Sequence, residues 1–352
     1  MSVDTRITLA VIGLAFIPLG SPAAPSQSVS QRPGPVADLL AGRFRWTVGP
    51  PLVSPVERPE DFCYSIKDPT IVHTDDGCWH LFCTIRSRKR SHRIEYLSFH
   101  DWKDANAAPR HLLTITDGYF CAPQVFYFRP HKRWYLIYQT ADPSRKPSLQ
   151  PAFSTTTDVG DPDSWTSPAL LFREEHPKNI RMWIDFWVVC DEARAHLFFT
   201  SLDGHMFRSE TTLEAFPHGW DLPRVALQAD IFEASHTYRL KGMEKYLTVV
   251  EAQRGGRRYY KAYLADRLDG LWRPLAATAE EPFAGPANVR DRGPHWTDSF
   301  SHGELIRDGY DERLEVDPAN LRFLFQGVTD ERMAGKKYGE IPWQLGLLEP
   351  EP

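Results

Sequence analysis

Sustained helical patterning is missing from this sequence. Past an apolar leader, no segment keeps an i, i+3, i+4, i+7 apolar stripe through three turns with caps, so helices are not expected to build the fold. Strong charge is missing too. The formal net charge is -5 and no long basic run occurs, which removes nucleic acid as an expected partner. The short cluster Arg86, Arg88, Lys89, Arg90 and Arg93 reads as a solvated loop. Cysteine is scarce. The five residues Cys63, Cys78, Cys83, Cys121 and Cys190 form no CxxC and no metal-type spacing. Their number is odd and three sit in apolar runs, so few or no disulfides are expected. No stretch after the leader is long and apolar enough to span a bilayer, and stable membrane insertion is not expected.

What is present begins with that leader. Arg6 precedes "ITLAVIGLAFIPLG", too short for a comfortable membrane span, and "SPAAPSQS" supplies small residues suited to a signal peptidase. Residues 1–24 are expected as a signal peptide, 25–42 as a Pro/Ser-rich linker and 43–352 as one domain, in a secreted or periplasmic protein. Of the 352 residues, 42% are hydrophobic and 12% aromatic, enough for a large core.

The body of the chain is a series of short aromatic and β-branched runs separated by Gly, Pro, Asp and Asn, an all-β pattern. The runs pair, and the pairs recur: "SIKDPTIVHTDDGCWHLFCTI", "YFCAPQVFYFRPHKRWYLIYQT", "MWIDFWVVCDEARAHLFFTS", "IFEASHTYRLKGMEKYLTVVEA", and "SFSHGELIRDG" with "LRFLFQG". Asp68 lies 11 residues before Trp79, Pro123 11 before Trp134, Asp185 11 before His196 and Glu233 13 before Tyr246. Unit starts fall roughly 50 to 70 residues apart, a range that suggests propeller blades. Five units predict a five-bladed β-propeller, each blade contributing its innermost strand to a central channel.

In that geometry the acids on otherwise apolar strands converge. Lys67 and Asp68 interrupt "SIKDPTIV", where an unpaired buried charge would cost several kcal/mol. Asp68, Asp185, Glu233 and His302 are expected at corresponding places, with uncharged "APQ" in the second blade. Three carboxylates in one polar pocket suit glycoside hydrolysis, which needs one protonated acid and one ionised carboxylate. Glu233, flanked by Phe232 and Ala234, is the candidate acid; Asp68, beside Lys67, is the candidate base. Alternation along a strand leaves a direct Lys67–Asp68 pair unassured. Each acid also has a plainer reading: Asp68 as a turn residue before Pro69, Asp185 satisfying backbone groups between blades, Glu233 as an ion-pair partner.

The chain resembles glycoside hydrolase family 62, the α-L-arabinofuranosidases that release arabinose side chains from arabinoxylan. The stretches that carry the resemblance include "SIKDPTIV", "APQVFYFRPHKRWYLIYQ", "HLFFTSLDGHMFRS", "IFEASHTY", "GRRYYKAYLADRLDGLWRPLA", "SHGELIRDGYDERLEVDPANLRFLFQG" and "KYGEIPWQLGLL". They run from "FRWTVGPPL" nearly to the C-terminus. The resemblance implies an inverting mechanism with Asp68 as general base, Glu233 as general acid and Asp185 as pKa modulator. It also implies a substrate-binding Lys67, Tyr338 bordering the arabinose pocket, and a structural Ca2+ near the channel centre with His302 as its protein ligand. The partner it implies is an arabinoxylan-like plant cell-wall polysaccharide, met by a monomer. Four positions depart from the family pattern: Pro69 for Phe, Ala319 for a cysteine, Thr140 for Trp and Gln344 for Arg. Trp183, Trp187 and Trp343 join Tyr338 as aromatics able to stack on a glycan, although each reads sooner as core, since aromatics dominate cores. A β-xylosidase, an arabinanase or fructan enzyme on the same fold, and a non-catalytic glycan-binding propeller remain as alternatives.

Overall fold

The computed structural model describes residues 1–2, 34–173 and 177–351. The expected signal peptide and the first part of the linker therefore lie outside the described residues, apart from the first two. Residues 34–42, expected as the end of that linker, instead carry a helix, Pro35–Leu40. Proline at its first turn costs no hydrogen bond, and Leu39 is buried in the hydrophobic core.

Five antiparallel-dominated sheets follow, forming a five-bladed β-propeller. The first blade orders Cys63–His73, Trp79–Ser87, Arg93–Phe99 and His111–Leu112 from the inside out. The second begins at Phe120–Phe128 and the third at Ile184–Cys190. The fourth runs outward through Glu233–Leu240, Tyr246–Arg254, Arg257–Ala265 and Arg273–Ala276. The fifth begins at Ser299–Leu305 and Phe323–Val328, then takes Gln344–Pro350 from the C-terminal end. Trp46–Val48, from the start of the domain, pairs antiparallel with that last strand. The two ends of the domain thus share one sheet, and its hydrogen bonds close the ring.

The strands read as nearly continuous apolar runs because both faces of each blade are covered by neighbours. Phe82, Phe126, Phe198, Leu247 and Phe323 are fully buried; each such side chain contributes about 1.5–3 kcal/mol relative to exposure. Polar side chains join the inner strands. Gln124 of the second blade both donates to the Val188 carbonyl and accepts from its N–H, each at 2.7 Å. Arg307 donates to the Ile71 carbonyl at 2.7 Å, joining the fifth blade to the first.

Every inner strand carries the same irregularity. A residue with positive φ sits at Asp68 (49°), Ala122 (51°), Asp185 (57°), Ala234 (52°) and His302 (20°). Each coincides with a break in register against the next strand. A bulge of this kind places two successive side chains out of strict alternation. The left-handed residue costs roughly 1 kcal/mol when it is not glycine, and such costs gather where a site needs them.

Candidate active site

The repeated bulge corrects the expected equivalence of the acids. Asp68, Asp185 and His302 do occupy one repeated position, but its counterpart in the fourth blade is Ala234 and in the second Ala122. Glu233 is one residue earlier, the place Lys67 holds in the first blade. Counting back to the next aromatic strand missed this because the connecting turns differ in length. The residues nevertheless converge, since both positions of the bulge can reach the channel.

Lys67 Nζ lies 3.3 Å from Asp68 Oδ1, so neighbours in sequence form an ion pair across the bulge. The ammonium also donates to the Tyr338 hydroxyl at 3.2 Å. His302 Nδ1 is 3.4 Å from Asp68 Oδ1 and 3.9 Å from Asp185 Oδ1, which places the imidazole between the two aspartates. Asp185 Oδ2 accepts from the Ala234 N–H at 3.0 Å, at the residue next to Glu233. The Asp185 N–H in turn donates to Gln139 Oε1 at 3.3 Å. Glu233 Oε1 has no hydrogen-bond donor; the Arg258 Nη1 is 3.5 Å away. All six expected residues thus lie in one place, and only Tyr338 keeps a large exposed area, 43%.

The three acids sit in different electrostatic surroundings. Burial pushes the Asp68 carboxyl upward, but Lys67 and then His302 outweigh it and hold it below its ordinary value. Burial raises Asp185, with repulsion from Asp68 adding to it. Burial raises Glu233 well above the usual carboxylate range, helped by the negative charges of Glu251 and Asp185. One pocket therefore holds one carboxylate disposed to ionise and another disposed to keep its proton.

The other aromatics able to stack on a glycan are core, the reading favoured for them from the sequence. Trp183, Trp187 and Trp343 are at most 1% exposed. Trp187 stacks on His236 and donates to the Thr237 carbonyl, and Trp183 donates to the Leu149 carbonyl. Two residues of the site were not anticipated. Glu251 is completely buried, and Arg258 lies between it and Glu233 with its guanidinium 4.1 Å from the Phe232 ring. The available signal was the single acid in the apolar run "KYLTVVEA".

The family model described as glycosyl hydrolase family 62 matches residues 45–349. The chain belongs to that family. It is 40% identical over 316 residues to alpha-L-arabinofuranosidase C of Cellvibrio japonicus (strain Ueda107), covering 88% of this chain and 47% of that protein. It thus spans about half the length of that curated relative. An alpha-L-arabinofuranosidase of Podospora anserina, solved in complex with cellotriose, superposes with a TM-score of 0.81 at 39% identity, covering 89% of this chain and 98% of that one. A family-62 hydrolase solved with xylotriose gives 0.81 at 39% identity, covering 88% and 98%.

The positions that depart from the family-62 pattern lie outside the acid cluster, except Pro69. Thr140 donates to the Tyr119 carbonyl at 2.9 Å. Gln344 accepts from Arg332 and donates to Ser54 Oγ at 2.7 Å. Ala319 ends its N–H on Asp317 in an exposed turn. Pro69 follows the left-handed Asp68 and needs no ladder donor, since the bulge breaks pairing there. The five cysteines are unpaired, four of them buried.

The calcium ion implied by the family finds one imidazole, His302, with the oxygens of Asp68 and Asp185 nearby. Among the described residues no group of three or more His, Cys, Asp or Glu side chains forms a cage. That donor set fits a cation held mainly by water, since calcium prefers six to eight oxygens.

Proposed function

We propose that this family-62 protein is an inverting α-L-arabinofuranosidase that removes arabinose side chains from arabinoxylan or a related plant polysaccharide. The supporting observation is the pairing, in one pocket, of a carboxyl held low at Asp68 with a carboxyl held high at Glu233. Asp68 is the general base and takes a proton from a water molecule as that water forms its bond to the arabinose anomeric carbon. Glu233 is the general acid and gives its proton to the glycosidic oxygen as the bond to the sugar breaks. Water and leaving group lie on opposite faces of the ring, which inverts the anomeric carbon. Exchange with solvent then returns Asp68 to its ionised and Glu233 to its protonated state.

Asp185 orients the acid through the Ala234 N–H and adds negative charge beside it. Lys67 and Tyr338 meet the sugar hydroxyls; their mutual hydrogen bond fixes both before substrate arrives. His302, with water, would hold a structural Ca2+ that would supply positive charge near the channel centre. Substrate enters past Tyr338, the exposed edge of the pocket. The relatives solved with cellotriose and xylotriose support a glycan backbone lying across that opening. Export, with residues 1–24 as the leader, suits a polymer that cannot enter a cell.

The test is arabinose release from arabinoxylan, with Asp68→Asn and Glu233→Gln each expected to lower kcat by roughly 10²–10⁴-fold. NMR of the first product should show β-arabinofuranose. A first product of α configuration would mean retention, and no arabinose from arabinoxylan would remove the substrate assignment.

A further inference from the structure

The basic cluster of the first blade has a member at the rim of the pocket. Arg86, on the strand Trp79–Ser87, packs its guanidinium on Gly339, the residue after Tyr338. A Cβ at Gly339 would stand 2.6 Å from Arg86 Nη1 and 2.8 Å from Nη2, so only a glycine lets the guanidinium lie against this turn. Tyr64 fixes the same turn, its hydroxyl donating to the Gly339 carbonyl at 2.8 Å. The guanidinium thus stands beside the exposed edge of the pocket, where Tyr338 meets Lys67. The charges of Lys67, Arg86 and Asp68 all act on His92, which burial and the two cations push down to about 3 and so keep neutral.

This cation has no partner. Arginine carries five N–H donors. Among the described residues Arg86 donates to none and pairs with no carboxylate; Nε is buried without an acceptor, while Nη1 and Nη2 remain accessible and unbonded. Its neighbours are engaged. Arg93 donates to the Asp117 and Gly118 carbonyls, and Arg88 lies 5.0 Å over the Phe62 ring. Asp61 accepts from Ser87 Oγ and the Lys89 N–H and faces Arg90 at 3.9 Å. The other cations of the pocket are paired as well, Lys67 with Asp68 and Arg258 with Glu251. A guanidinium desolvated at one edge and unpaired at the other is prepared for a planar anion with two oxygens, which it binds through two parallel hydrogen bonds.

We propose that Arg86 is a specificity-determining residue that binds the carboxylate of a uronic acid carried by the polysaccharide next to the arabinose being removed. The inference rests on the proposed release of arabinose from a plant polysaccharide. A neutral glycan offers Arg86 only hydroxyls and leaves its charge unanswered; a carboxylate takes two N–H groups and the charge together. Because Gly339 follows Tyr338 along the turn, an anion on Arg86 lies beside the arabinose pocket rather than within it. The adjoining cavity of about 530 Å³ is lined by Glu57 and Glu60 as well as by Arg88 and Phe62. It carries both signs, so the anion is assigned to Arg86 and not to that cavity. The net charge of -5 opposes an acidic polymer as a whole, and a preference for one therefore points to a local cation.

The experiment measures kcat/KM for arabinose release from an arabinoxylan that also carries glucuronic acid, and from the same polymer after its carboxyls are reduced to primary alcohols. At low salt the parent should favour the acidic polymer by about two- to fivefold, and the advantage should shrink at about 1 M salt. In Arg86→Gln the ratio between the two polymers should fall to one or below. A parent ratio of one or less, or an Arg86→Gln ratio equal to the parent's, overturns the inference. Gly339→Ala carries the same comparison should Arg86→Gln not fold. Its Cβ meets only the far end of the Arg86 side chain, so the guanidinium gives way and the ratio should fall likewise. An unchanged ratio in Gly339→Ala also counts against the inference. If the parent releases arabinose from neither polymer, the proposed function falls and takes this inference with it. If it releases arabinose from both equally, only the inference falls.

Discussion

Lys67 and Asp68, adjacent in the chain, form an ion pair with 3.3 Å between Nζ and Oδ1. Regular strand geometry would send them to opposite faces, and the left-handed φ of 49° at Asp68 brings them together. The pair answers the cost of placing both in a site where each is no more than 6% exposed.

That pair makes the base depend on Lys67. Lys67→Met removes the largest influence holding Asp68 down, so the Asp68 pKa rises. A base works only when ionised, so the acid limb of the pH–rate profile should move upward, by about one unit or more. The measurement is kcat/KM against pH on an aryl arabinofuranoside; a lower rate with the acid limb in place would assign Lys67 to sugar binding alone.

Gly303 lies at the bulge of the fifth blade, next to His302. An added Cβ would stand 2.5 Å from the Leu324 carbonyl oxygen and 2.6 Å from the Phe323 ring. Gly303→Ala should therefore destabilise the fold by about 1–3 kcal/mol through overpacking. Denaturant unfolding reads it, and a change below about 0.5 kcal/mol would mean that the blade yields easily at this point.

Asp191 offers a test of stability remote from the site. Burial raises its carboxyl, but hydrogen bonds from His196 and from the Ala193 and Arg194 N–H groups prevail and bring it down to about 2. A depressed pKa gives stability that is present above the unfolded value of 3.8 and is lost as pH falls toward 2. Asp191→Asn should be less stable than the parent near neutral pH, with the gap closing as the pH is lowered through that window. Thermal melts across the window decide, and a gap independent of pH would contradict the expectation.

Calcium at His302 should act by binding the folded state alone. Chelation should lower Tm and move the acid limb of the pH–rate profile upward, because positive charge beside Asp68 is lost, and returning millimolar Ca2+ should restore both. A Tm indifferent to chelator and to added Ca2+ removes the ion from the reading.

The propeller could be read early because its signal is local. Aromatic and β-branched runs in five recurring pairs specify strands, and strands that are apolar on both faces must stack as blades. Lys67, Asp68, Asp185, Glu233, His302 and Tyr338 were visible as polar residues in such runs or through the family resemblance. The one-residue offset of Glu233 was not, because register across a bulge depends on which backbone groups the neighbouring strand leaves unpaired. Trp183, Trp187 and Trp343 were equally ambiguous, since an aromatic's exposure depends on what packs over it.

The sequence by itself determined the all-β class, the number of blades and the acids that interrupt their inner strands. These follow from side-chain periodicity and from the cost of burying charge, which act over a few residues at a time. The sequence suggested which carboxyl keeps a proton, and only the tertiary structure supplied the partners that set it. That depends on donors brought from distant strands: Lys67 and His302 to Asp68, and Arg258, Ser301 and the His302 N–H to Glu251, none of which reaches Glu233 within hydrogen-bonding geometry. Protonation is set by the balance of buried charge and hydrogen bonds in three dimensions, and a linear pattern records only the part of it that comes from sequence neighbours.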